Sequence, residues 1–157
     1  MNRLFVEAVL AFLALPGVVA YLIPLVFAPS RDRLDIRGIG IVVLGSLLLL
    51  ACVWQFYSSG RGTLAPWTPP VHLVDRGPYR FSRNPMYVAV VTVLFGWALA
   101  YSSWGLGAYA AVMMAVFHLR VVRFEEPWLA ERHGESWQRY QASVPRWIGI
   151  AALRQPD

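Results

Sequence analysis

Two short runs carry most of the polar chemistry of this chain. The first, Gly77 to Tyr87, reads Gly-Pro-Tyr-Arg-Phe-Ser-Arg-Asn-Pro-Met-Tyr, and the second, Arg120 to Glu126, reads Arg-Val-Val-Arg-Phe-Glu-Glu. They offer phenols, an amide, guanidinium groups and two adjacent carboxylates, without an obvious covalent nucleophile. Such a set suits the transfer of a group between two bound reactants, where the protein mainly positions the partners. Other chemistries lack their residues. His72, His118 and His133 are too scattered for metal ligation, and there is no Cys-x-x-Cys pair, nucleophile elbow or phosphate loop.

The two runs meet only if the chain between them turns back on itself. From Val88 to Leu119 there is no Asp, Glu, Lys or Arg, and the stretch is broken near Tyr101-Ser-Ser-Trp-Gly into two apolar halves. At about 1.5 Å per residue each half is roughly long enough to cross a bilayer. A tight hairpin then returns Arg120 to the face from which Tyr87 departs, with helix axes about 8 to 10 Å apart.

Composition supports a membrane setting, since 57% of the residues are hydrophobic and 15% are charged. The expected fold class is all-α: a multi-pass membrane protein with about four transmembrane helices and a cytoplasmic amphipathic C-terminal helix. The 157 residues form one membrane domain, with spans at about 4–28, 36–57, 85–101 and 104–122, a loop at 58–84 and a tail helix at 127–144. The first run reads as a span rather than a secretion signal, because it exceeds the usual apolar length and its cleavage candidate, Ala28, precedes Pro29.

Every basic residue is arginine, and four spans divide the arginines unevenly. Eleven fall with the termini, the long loop and the tail, whereas Arg31, Arg33 and Arg37 fall opposite. The positive-inside rule places both termini and the polar pocket in the cytoplasm, and a bacterial inner membrane is the expected location. A net charge of +5 needs no nucleic acid, because arginines beside spans are attracted to anionic headgroups. Pro16-Gly17 and Pro24 bend the first span, and Glu7 lies near its start as an interfacial carboxylate. Gly38-Ile-Gly40 and Gly45 read as close helix packing rather than a dinucleotide fingerprint. Cys52 is the lone cysteine, a small core residue. Beyond Pro127, the spacing of Leu129, His133, Trp137, Tyr140 and Val144 predicts an amphipathic helix that closes over the pocket as a lid.

Taken in order, Leu73-Val74, Gly77-x-Tyr79, Arg83-Asn-Pro85-x-Tyr87, Glu125-Glu126-x-x-Leu129, Gly134, Tyr140 and Val144-Pro145 resemble one group of membrane enzymes. It is the isoprenylcysteine carboxyl methyltransferase and phospholipid methyltransferase group, and the resemblance runs from about Gly62 to Trp147. It implies methyl transfer from S-adenosylmethionine to a lipophilic small molecule or lipid at the cytoplasmic face. The implied cofactor residues are Val71, His72, Leu73, Val74, Tyr79, Arg83, Asn84, Pro85, Met86, Tyr87 and Glu125. Acceptor orientation falls to Arg120, Arg123 and Glu126. The chemistry agrees: carboxylates at Glu125 and Glu126 can stabilise the cofactor's sulfonium and ammonium, Arg83 can donate to its carboxylate, and Tyr79 and Tyr87 can pack on its adenine or cap its ribose.

The chain departs from the group's pattern at three positions. Asn84 stands where many relatives carry histidine, Ala89 where they carry glycine, and Val121 where the prenylcysteine enzymes carry a carboxylate-binding arginine. Asn84 excludes a role that needs imidazole protonation, and Val121 points away from a prenylcysteine acceptor. Two alternatives to the enzyme stay open: a small four-span transporter driven by protons through Glu7, and a catalytically silent membrane assembly partner.

Overall fold

A computed structural model of the chain describes residues 13–30, 34–58 and 73–149. The opening of the first expected span, with Glu7, lies outside the described residues, as does most of the expected loop, with Val71 and His72. The described residues are helical, with no strand among them. Helix α1 comprises a π-helical run, Leu13–Leu22, continued by an α-helical turn, Ile23–Phe27. Then come α2 (Ile36–Ser58), a 3-10 turn (Gly77–Arg80), α3 (Pro85–Ala100) and α4 (Trp104–Arg120). A π-helical turn, Val121–Glu125, joins α4 to α5 (Glu126–Ser143).

Two of these segments are long and apolar enough to cross a bilayer, namely Ile36–Phe56 and the continuous helix from Trp104 to Ser143. Helix α3 and the described part of α1 are shorter apolar helices. The continuity is a correction to the sequence reading. The tail does not begin as a separate helix at Pro127; it grows out of α4 through the π-turn and breaks only at Gly134, where φ is 51° and ψ is −123°.

Local signals start the helices where they begin. Asp35 caps α2, its Oδ1 accepting from the Arg37 N–H at 2.8 Å, and Pro85 takes the first position of α3, where no N–H is needed. Ser103 caps α4 by accepting from the Leu106 N–H at 3.3 Å. The α3–α4 hairpin turns through Tyr101–Ser103, and the Asp35 N–H donates to the Ala100 carbonyl at 3.0 Å, pinning the start of α2 to the end of α3.

The most extensive contact is between α2 and α3, followed by α3 against α4. Its core is made of Ala20, Val42, Leu49, Ala89, Val90, Val93, Leu94 and Ala110. Large apolar side chains point the other way: Leu44, Leu47, Leu50 and Trp54 on α2, Phe95 and Leu99 on α3, Val112 and Val116 on α4 are exposed. A soluble monomer rarely shows so continuous an apolar exterior, whereas lipid tails solvate it without penalty.

Helix α1 shows how a proline is accommodated in such a setting. Pro24 has no N–H, so the carbonyls four and five residues back, at Ala20 and Val19, lose their α-helical and π-helical donors. Side chains of two other helices replace them. Trp97 donates its indole N–H to the Ala20 carbonyl at 3.0 Å, and Tyr109 donates its hydroxyl to the Val19 carbonyl at 3.2 Å. Trp97→Phe is expected to cost about 1 to 3 kcal/mol, the penalty of an unsatisfied buried acceptor, and Tyr109→Phe less because its bond is longer. Unfolding in mixed micelles measures both.

Candidate functional site

The site lies at the end of the hairpin away from the Tyr101–Ser103 turn. The turn before α3 starts at Gly77, whose φ of +58° lies in the left-handed region that side chains disfavour, and a β-carbon there would press on Gln55 at 3.1 Å. Two residues on, Tyr79 is buried with Cys52 and Val74, its ring edge-on to Phe56 at 5.5 Å. Burial holds its hydroxyl well above the usual phenol range, so it stays protonated. Its carbonyl accepts from the Tyr140 hydroxyl at 2.8 Å, which ties α5 to the turn.

The segment 82–84 is stitched to the segment after α5. The Arg83 N–H donates to the Pro145 carbonyl at 2.9 Å, and the Asn84 side-chain amide donates to the Arg146 carbonyl at 3.0 Å. The Ser82 hydroxyl donates to the same carbonyl at 3.3 Å and accepts from the Asn84 N–H at 3.0 Å. A neutral amide suits this donor role, which needs no charge.

The two glutamates diverge. Glu126 takes Arg146 in a two-pronged contact, Nε to Oε1 and Nη2 to Oε2, both at 2.8 Å. Arg83 Nη1 also approaches Glu126 Oε1, at 2.9 Å but without hydrogen-bonding alignment. The Arg83 side chain is 8% exposed and that of Glu126 11%, with Trp137 beneath the guanidinium at 5.5 Å. Burial lowers the Arg83 pKa while Glu126 opposes the shift; at Arg146 the hydrogen bonds it donates to Glu126 raise it. Arg83 Nε has no acceptor among the described residues.

Glu125 faces the other way, toward the hairpin. Its Oε1 accepts from the Tyr87 hydroxyl in a short hydrogen bond and from Arg120 Nε at 2.8 Å. Arg120 Nε also reaches the Tyr87 oxygen at 3.1 Å, and the Tyr87 ring stacks on Phe117 at 4.6 Å. The π-turn makes this possible. In an α-helix residues five apart point about 140° away from each other, whereas π-helical winding stacks them on one side. Tyrosine from α3 and glutamate from the end of α4 therefore meet, as the hairpin requires.

The remaining sequence-derived site residues take varied places. Leu73 packs against the Trp137, Tyr140 and Val144 cluster, Val74 beside Tyr79, and Met86 against both cores, while Pro85 is buried at the start of α3. Arg123 is exposed and belongs to neither cluster, and Val121 is fully buried. Sequence reasoning passed over Arg146, Trp137 and Phe117 as site residues. An arginine directly after the Val144-Pro145 pair was the available signal, since a doublet of acids asks for more than one cation. A cavity of about 330 Å³, lined by Ile23, Phe27, Ser103, Gly105, Leu106 and Tyr109, lies at the opposite end of the hairpin and holds none of these ionic groups.

No curated protein and no solved structure matches this chain. A family model does: phospholipid methyltransferase, over residues 35–136, which takes in α2, the Gly77 turn, the whole hairpin, both glutamates and the first part of α5. These are the elements that carry Tyr87 to Glu125, and the match covers well over half of the sequence. This chain belongs to the phospholipid methyltransferase family.

Proposed function

We propose that the chain transfers a methyl group from S-adenosylmethionine to a lipophilic acceptor at the cytoplasmic face of a membrane, with four spans and both termini in the cytoplasm. One observation carries this reading: Tyr87 and Glu125, from opposite arms of the hairpin, converge, while among the described residues the hydrogen bonds to Glu125 fall on Oε1. The second carboxylate oxygen is left to a ligand cation. Arg83 Nε, buried and without an acceptor among the described residues, is the matching donor for a ligand carboxylate. The donor set therefore fits a cofactor that is both cationic and anionic.

When bound, S-adenosylmethionine supplies a methyl carbon already activated for displacement. The residues then bind and orient. Glu125 stabilises positive charge, Tyr87 fixes that carboxylate, and the Glu126 clamp holds the segment 82–84 that carries Asn84 into place. Exposed apolar side chains such as Phe124 and Trp128 beside the site favour an acceptor that arrives from lipid.

Calorimetry with S-adenosylhomocysteine on the purified full chain in detergent tests the reading. Wild type binds, and Glu125→Gln and Tyr87→Phe each weaken binding at least about tenfold, the loss of one charge-assisted hydrogen bond. Unchanged affinity in both variants rejects the pocket. No binding by wild type favours the silent assembly partner.

A further inference from the structure

Arg120 belongs neither to the core nor to the Glu126 clamp. It sits on the last turn of α4 with its side chain 58% exposed, yet its Nε is aimed at two acceptors, Glu125 Oε1 at 2.8 Å and the Tyr87 oxygen at 3.1 Å. Glu125 is 30% exposed and, unlike Glu126, is held by no second arginine among the described residues. An ion pair this open to water is weak and easily exchanged. The guanidinium thus already partly neutralises the carboxylate that faces the hairpin, beside the oxygen a ligand's positive charge would take.

We propose that Arg120 is a specificity-determining residue of this site: a resident counter-ion of Glu125 that yields to a cationic ligand and returns when the ligand turns neutral. The inference rests on the cofactor reading above and adds a competition to it. In methyl transfer the C–S bond breaks with its electron pair left on sulfur, and the carbon bonds to a lone pair of the acceptor. The sulfonium charge disappears in that step. Arg120 then faces no rival for Glu125 at the sulfur position, and its return favours departure of the spent product. Before the step, its own charge opposes any ligand cation nearby, so removing it helps a charged ligand more than a neutral one.

The test compares two probes by calorimetry on the full chain at low and high salt. Sinefungin carries a protonated amine in place of the sulfonium, and S-adenosylhomocysteine is neutral there. Arg120→Gln is expected to tighten sinefungin about five- to tenfold at low salt, the order of one screened like-charge contact, and S-adenosylhomocysteine less than about twofold. High salt narrows the difference. Arg120→Lys keeps the wild-type ratio because it keeps the charge. Equal changes for both probes, or weaker sinefungin binding by Arg120→Gln, overturn the inference and make Arg120 a structural prop. If wild type binds neither probe, the cofactor reading fails and this inference with it, a result separable from the other two.

Discussion

Gly38→Ala is expected to destabilise the fold by about 3 kcal/mol, at the upper end of what overpacking costs, although alanine is the better helix former by about 1 kcal/mol. A β-carbon on Gly38 would lie 2.2 Å from the Ala100 backbone nitrogen, 2.5 Å from its Cα and 2.7 Å from the Gly96 carbonyl oxygen. Those are backbone atoms on the last turns of α3, so no side-chain rotation relieves the clash. Helix α2 must move away, and the Asp35 to Ala100 hydrogen bond goes with it. The facing Gly96 is equally confined, with Val42 N at 2.7 Å from its would-be β-carbon. Gly40→Ala is the control, because nothing lies within 4 Å of that position. It should be neutral or stabilising by up to about 1 kcal/mol. Unfolding of both variants in mixed micelles checks the contrast, and equal effects would mean that the α2–α3 approach is looser than this.

Glu126→Ala should be the second damaging change, costing about 3 kcal/mol. Removing one partner of a buried ionic cluster leaves the others uncompensated, and the range for such breaks is about 3 to 5 kcal/mol. The lower end applies because the Arg146 side chain is 35% exposed and water recovers part of its loss, whereas Arg83, at 8%, has no such relief. The consequence reaches the site. Arg146 and Pro145 would no longer be held against Ser82, Arg83 and Asn84, so the turn that leads into Tyr87 loses its backing. Glu126→Ala combined with Arg83→Met should recover part of the stability by removing the stranded charge. A double variant no better than the single would show that Arg83 does not depend on Glu126. In either background, weaker S-adenosylhomocysteine binding is expected, since the clamp holds the segment that carries Asn84, and Arg83→Met also removes the donor proposed for the ligand carboxylate.

Much of this architecture is legible in the residues alone. Apolar runs interrupted by Tyr101-Ser-Ser define a hairpin, and Pro85 and Ser103 mark the starts of its two helices, because such signals act within a single turn of chain. The spacing of small residues on α2 pointed to close packing, which holds for Gly38 and Gly45 but not for Gly40, whose side of the helix is open. A glycine in sequence does not say which face it is on when no partner helix is known. The tail helix and the segment after it are fastened to residues 79–84 by hydrogen bonds that join positions about 60 apart in the chain, which reading along the sequence does not reveal.

The acidic doublet shows most clearly where reading along the chain ends. Two neighbouring carboxylates and several arginines announce an ionic cluster, and their residue types alone determine that charges of both signs need partners there. Which arginine meets which glutamate was decided by the tertiary structure. A π-turn over Val121–Glu125 brings Arg120 onto Glu125 and Tyr87, and leaves Glu126 to Arg83 and Arg146. One extra residue in a helical turn rotates every later side chain by about 100°, and the packing of the fully buried Val121 accompanies that winding rather than any local preference of the sequence.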